Sequence, residues 1–157
     1  MLNSSRILST LPLAAVVVQG LNIDQTVTNN VLANLNADPD SITVSGHSAG
    51  GHYSHTLLVL LSDTIKGAGN SKGGAFMAPF SKFRSPDTYD AQYFTDEAVE
   101  AINDLHALGE IDDIDNLKER AVYIVSGLED KTVPPHNLEA CEASFKAFDT
   151  MYVYLDE

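Results

Sequence analysis

The sequence predicts an α/β protein built on a doubly wound, mostly parallel sheet. Three observations carry this. Short β-branched or apolar runs alternate with segments of helical length from residue 25 to the end of the chain. The run Val122-Tyr123-Ile124-Val125 is apolar without alternation, as in a parallel strand buried on both faces. Between them, Gly46-His47-Ser48-Ala49-Gly50 forms a tight turn that joins a strand directly to a helix. At 157 residues the chain fits a single domain with a real core, and 44% hydrophobic content excludes disorder over most of its length.

The elements follow in order. Residues 1–20 have the form of a signal peptide, with Arg6 before an apolar stretch from Ile7 to Val18 and Val18-Gln19-Gly20 as a small-residue cleavage site. The stretch is too short to span a bilayer comfortably, and the competing reading makes "LAAVVV" a buried strand. A signal peptide would place the protein in the secretory pathway or outside the cell, with 21–157 as the folded unit. Val27, Val31, Leu32 and Leu35 recur at helical spacing until "ADPD" breaks the helix. "SITVSG" is the next strand, and a largely buried helix runs from Ala49 to about Asp63. "IKGAGNSKGGAF" reads as a second buried strand ending in a loop near Gly73 and Gly74, followed by an exposed excursion around "SPDTYD". A helix over about Thr95–Leu108, a short acidic segment, the strand "RAVYIVSG", a helix opened by Pro134 and Pro135, and a last strand in "MYVYLDE" complete the chain.

Charge limits the partners. With 9 basic against 22 acidic residues the formal net charge is −13, which repels nucleic-acid phosphates and anionic lipid heads, so neither nucleic acid nor membrane is an expected partner. Cys141, the only cysteine, cannot form an intrachain disulfide and reads as a buried, inert thiol. Nothing in the sequence calls for a cofactor or sets an oligomeric state.

The chemistry concentrates in two stretches. Gly46-His47-Ser48-Ala49-Gly50 matches G-x-S-x-G, where glycines permit the cramped strand-to-helix turn that lifts a serine hydroxyl clear of the sheet. Ser48 is therefore the expected nucleophile, and the Ala49 N–H at the helix start an oxyanion donor. The second stretch, Gly127-Leu128-Glu129-Asp130-Lys131-Thr132-Val133, follows the third strand, where the acid of a serine, acid, histidine series would lie. Asp130 is the expected acid that orients the histidine; Glu129 competes for the role, and a turn aspartate capping the following helix is the plainer alternative.

Three segments, "NADPDSITVSGHSAGGHYSHTLL", "IKGAGNSKGGAF" and "RAVYIVSGLEDKTVPPHN", resemble the polyhydroxybutyrate depolymerases and related secreted esterases, especially the circularly permuted type. The resemblance covers, with gaps, about residues 36–155 and implies an α/β-hydrolase-like fold and a serine esterase acting on polyester or small ester substrates. Only 47 residues precede Ser48, which leaves the expected sheet incomplete unless its further strands lie C-terminal to residue 157. Ala75-Phe76-Met77-Ala78 stands where secreted relatives commonly carry a disulfide cysteine.

The histidine of the series belongs after the strand that follows the acid, hence beyond residue 157. Of the five histidines, His47 is the x of the motif, His52 and His55 lie on the helix behind Ser48, and His106 belongs to another helix. His136 follows Asp130 by only six residues, at a helix start. His47, His52 and His55 lack a carboxylate or cysteine that would complete a metal pattern, so no metal site is expected. A binding protein on a hydrolase scaffold without its base is the alternative function, and a peptidase a third, since a fold does not fix a substrate.

Overall fold

The computed structural model describes residues 38–86 and 88–156. The expected signal peptide and the helix around Val27–Leu35 lie outside them. The described chain runs β1 (Thr43–His47), α1 (Ala49–Leu60), β2 (Gly67–Ser71), α2 (Ala91–Ala107), β3 (Ala121–Val125), α3 (His136–Lys146) and β4 (Tyr152–Asp156). The four strands form one all-parallel sheet in the order β1-β2-β3-β4, with each connection carried by a helix.

Register explains the layering. Val44, Ala68, Val122 and Val153 form one row across the sheet, and Gly46, Asn70, Ile124 and Leu155 another. These rows meet Leu58 and Val59 of α1, Phe94, Ala98 and Ile102 of α2, and Leu138, Cys141 and Phe145 of α3 in a single core. The alternate rows, Thr43-Gly67-Ala121-Tyr152 and Ser45-Gly69-Tyr123-Tyr154, point the other way. Among the described residues that face is open: it holds a shallow depression of about 620 Å³, and Tyr123 and Tyr154 stack on it with ring centroids 5.5 Å apart. The apolar run of β3 predicts burial on both faces, but Tyr123 is 47% exposed.

Two boundaries differ from the sequence expectation. Helix α2 begins at Ala91, four residues before Thr95, because Asp90 caps it by accepting a hydrogen bond from the Tyr93 N–H at 2.8 Å. The acidic segment after it contains a 3-10 helix, Ile114–Glu119, capped by Asp113. One acidic residue of the segment, Asp113, is thus a helix cap, and Asp112 accepts from the Asp63 N–H at 2.9 Å.

Candidate active site

The turn after β1 is set by close approach. A Cβ on Gly46 would lie 2.2 Å from the backbone carbon of Gly50, so only glycine lets the start of α1 press against the end of β1. The second motif glycine is different: a Cβ on Gly50 meets nothing within 4 Å. The crowded position is its neighbour, Gly51, whose Cβ would stand 2.4 Å from Asn70 Oδ1.

Between these glycines Ser48 has φ 55° and ψ −122°, a sparsely populated backbone region for a residue with a side chain. Its N–H donates to the Ser71 carbonyl at 2.7 Å, tying the turn to the end of β2. Serine is a favoured N-cap because its hydroxyl usually accepts from the first helical N–H groups. Here Ser48 occupies the N-cap of α1 and makes no such bond, so its exposed hydroxyl is not committed to the helix. The Ala49 N–H is the first of the helix and has no acceptor within it.

Asn70 braces the turn from behind. Only 1% exposed, it accepts from the Gly73 N–H through Oδ1 at 2.7 Å and donates from Nδ2 to His55 Nδ1 at 3.2 Å. Cys141 Sγ lies 2.6 Å from the same ring nitrogen. Because Nδ1 accepts from Asn70, the ring proton sits on Nε2, which is buried without a partner. Burial pushes the His55 pKa down to about 3 and raises that of the Cys141 thiol well above its ordinary value. Cys141 is thus the buried, protonated thiol that its helical context suggests.

The acid loop is built from hydrogen bonds. Asp130 Oδ1 accepts from the N–H groups of Thr132 at 2.8 Å and Val133 at 3.0 Å, and the Asp130 N–H donates to the Gly127 carbonyl. Oδ2 faces Lys72 Nζ at 3.2 Å, with the Asp130 side chain 12% exposed and that of Lys72 39% exposed. The two backbone donors, with a further contribution from Lys72, hold the carboxyl below the usual carboxylate range. Lys72, which the sequence reading did not single out, reaches Asp130 from the turn after β2, where its own φ is 58°. The only sequence signal for it is a lone cation in the glycine-rich "GNSKGG".

The histidines go to separate surroundings. His47 Nδ1 lies 3.0 Å from Ser71 Oγ. His52 packs on Phe80 with centroids 5.0 Å apart, and burial lowers its pKa. His106 Nε2 is 3.7 Å from Asp113 Oδ1 at the end of α2. His136 stacks on Phe94 and accepts from Asn137 Nδ2 at 3.2 Å; burial lowers its pKa too. None of the five is a hydrogen-bond or ion-pair partner of Asp130 among the described residues.

A strand-to-helix turn carrying a strained, uncapped serine on a parallel sheet coincides with a sequence match to the family described as alpha/beta hydrolase fold, over residues 10–142. The chain belongs to the α/β-hydrolase fold family. Solved structures agree on the fold. A PHB depolymerase from Penicillium funiculosum is similar at 24% identity and a TM-score of 0.60, over 76% of this chain and 39% of that one. A PHB depolymerase variant complexed with an R3HB trimer is similar at 23% identity with the same TM-score and coverage. An acylaminoacyl peptidase from Pyrococcus horikoshii is similar at 14% identity and a TM-score of 0.50, over 83% of this chain and 21% of that one. The chain therefore spans about two-fifths of the length of the depolymerases it matches. A search of curated proteins finds no match.

Proposed function

We propose that this α/β-hydrolase chain carries the nucleophile and acid of a secreted serine ester hydrolase acting on polyester or short-chain ester substrates. The observation that carries the reading is the Ser48 turn: a non-glycine residue held at φ 55°, with its hydroxyl exposed and not spent as a helix cap. In the proposed reaction Ser48 Oγ attacks the ester carbonyl while its proton passes to a histidine. The Ala49 N–H donates to the developing oxyanion, the alcohol leaves with that proton, and water resolves the acyl-enzyme. Asp130 orients the histidine, which belongs after β4, C-terminal to residue 157. Support for a polyester comes from the R3HB trimer bound to the similar depolymerase. The signal-peptide form of residues 1–20 supports secretion, and no described helix is long and apolar enough to cross a membrane.

The test is hydrolysis of an R3HB trimer by the protein extended past Glu157 along its native coding sequence. Turnover that falls by roughly three orders of magnitude or more in Ser48→Ala supports the reading. Turnover unaffected by Ser48→Ala contradicts it. The absence of turnover in the unsubstituted protein favours a non-catalytic scaffold, the reading to which Asp130, paired with a lysine rather than a histidine, also lends itself.

A further inference from the structure

Asp130 has two oxygens with separate duties. Oδ1 is committed to the N–H groups of Thr132 and Val133, so Oδ2 is the oxygen left to receive a histidine. Lys72 Nζ stands against that oxygen. Its approach is built into the backbone: Lys72 N–H donates to the Val125 carbonyl at 3.0 Å, and the residue keeps a left-handed φ that a longer side chain tolerates only when its surroundings enforce it.

We infer that Lys72 is a positioning residue that sets the working pH of the histidine base by placing a fixed positive charge on the oxygen that base must share. This inference rests on the esterase reading above. A histidine hydrogen-bonded to Asp130 becomes an imidazolium during acylation, and a second cation on the same carboxylate disfavours that charged form. The other charges of these 157 residues push the other way. With 22 acidic against 9 basic residues, the chain's overall field favours a protonated imidazole and would hold the base charged, hence idle, to higher pH. Lys72 offsets that field where it matters.

The other charges near Asp130 are Glu129 and Lys131 on its own loop and Arg84 from the segment before α2; with Asp130 they line a depression of about 360 Å³. Glu129 opposes Lys131 in sign within that loop. Asp156, at the end of β4, accepts from Tyr123 Oη instead. Among the described residues, Lys72 is the cation in ion-pair contact with the acid.

The experiment compares the pH dependence of kcat/KM for an R3HB trimer in the protein extended past Glu157 along its native coding sequence, with Lys72 unchanged and with Lys72→Met, Lys72→Gln and Lys72→Arg. Removing the charge is expected to move the acid limb upward by roughly half a unit to one unit in both neutral variants, with Lys72→Arg restoring its position. An acid limb that stays in place in both neutral variants overturns the inference, as does an equal shift in Lys72→Arg, which would make the effect one of packing. Absence of Ser48-dependent turnover in the unsubstituted protein overturns the esterase reading itself, before any Lys72 variant is compared.

Discussion

The Ser48 turn follows β1 and the Asp130 loop follows β3, two strands of the same sheet separated by β2, yet they are held by different physics. The serine turn is held by steric exclusion: backbone presses on backbone at Gly46, the Asn70 side chain presses on Gly51, and Ser48 takes a strained φ. The acid loop is held by polar contacts, with two backbone N–H groups on one carboxylate oxygen and a lysine on the other. Close packing tolerates almost no change of shape, whereas a hydrogen-bonded loop tolerates a change of charge if an acceptor remains. The serine turn is therefore the brittle element and the acid loop the adjustable one.

The largest effect expected from this contrast is at Gly46. Gly46→Ala drives a methyl into the Gly50 backbone, and a loss of at least ~3 kcal/mol in chemical denaturation is expected, or no folded protein at all. Gly50→Ala, in the same motif, leaves stability unchanged or raises it by up to ~1 kcal/mol, because its Cβ meets nothing and alanine favours the helix. Equal losses in the two variants would break the steric account.

The network behind the turn gives the next effect. His55 is neutral and buried, with its pKa depressed to about 3 from 6.5, so the unfolded chain takes up a proton on that residue over a pH range in which the folded protein does not. Its contribution is complete above pH 6.5 and is lost as pH falls toward 3, amounting to a loss of ~2 kcal/mol by pH 5. Denaturation midpoints measured at pH 7 and pH 5 check this, and His55→Gln is expected to shrink the difference to the part that His52 and His136, whose pKa values burial also lowers, still supply. Cys141 acts with the opposite sign: its raised thiol pKa contributes stability that is complete below 9.0 and declines as pH rises beyond it.

The smallest effect belongs to the acid loop. Asp130→Asn keeps an oxygen to accept from Thr132 and Val133 and removes only a partly exposed ion pair, so a stability change under ~1 kcal/mol is expected while the proposed activity falls steeply. A large loss of stability would mean that the loop, too, is locked in shape.

The same contrast accounts for what was legible in the sequence. Steric demands leave glycine as their signature, and β-branched residues before a helix mark the strand, so the elbow and the order of strands and helices could be read from local pattern. The pattern did not distinguish Gly50 from Gly51, because the atom that crowds Gly51 belongs to Asn70, on a strand about twenty residues away. Lys72 and the His55–Asn70–Cys141 network were not legible for the same reason: each is a contact between elements distant in the chain. The early start of α2 was missed because Asp90 looked like part of a polar loop, although it is the cap that begins the helix. Exposure of Tyr123 depends on what covers the far face of the sheet, which no property of the β3 residues encodes.

The proposed role of Ser48 as nucleophile is tested most directly by fluorophosphonate labelling of the protein extended past Glu157, with the modified peptide identified by mass spectrometry. The account predicts a single adduct on Ser48, absent in Ser48→Ala and slowed in Asp130→Asn. No adduct, or an adduct elsewhere that persists in Ser48→Ala, would contradict it.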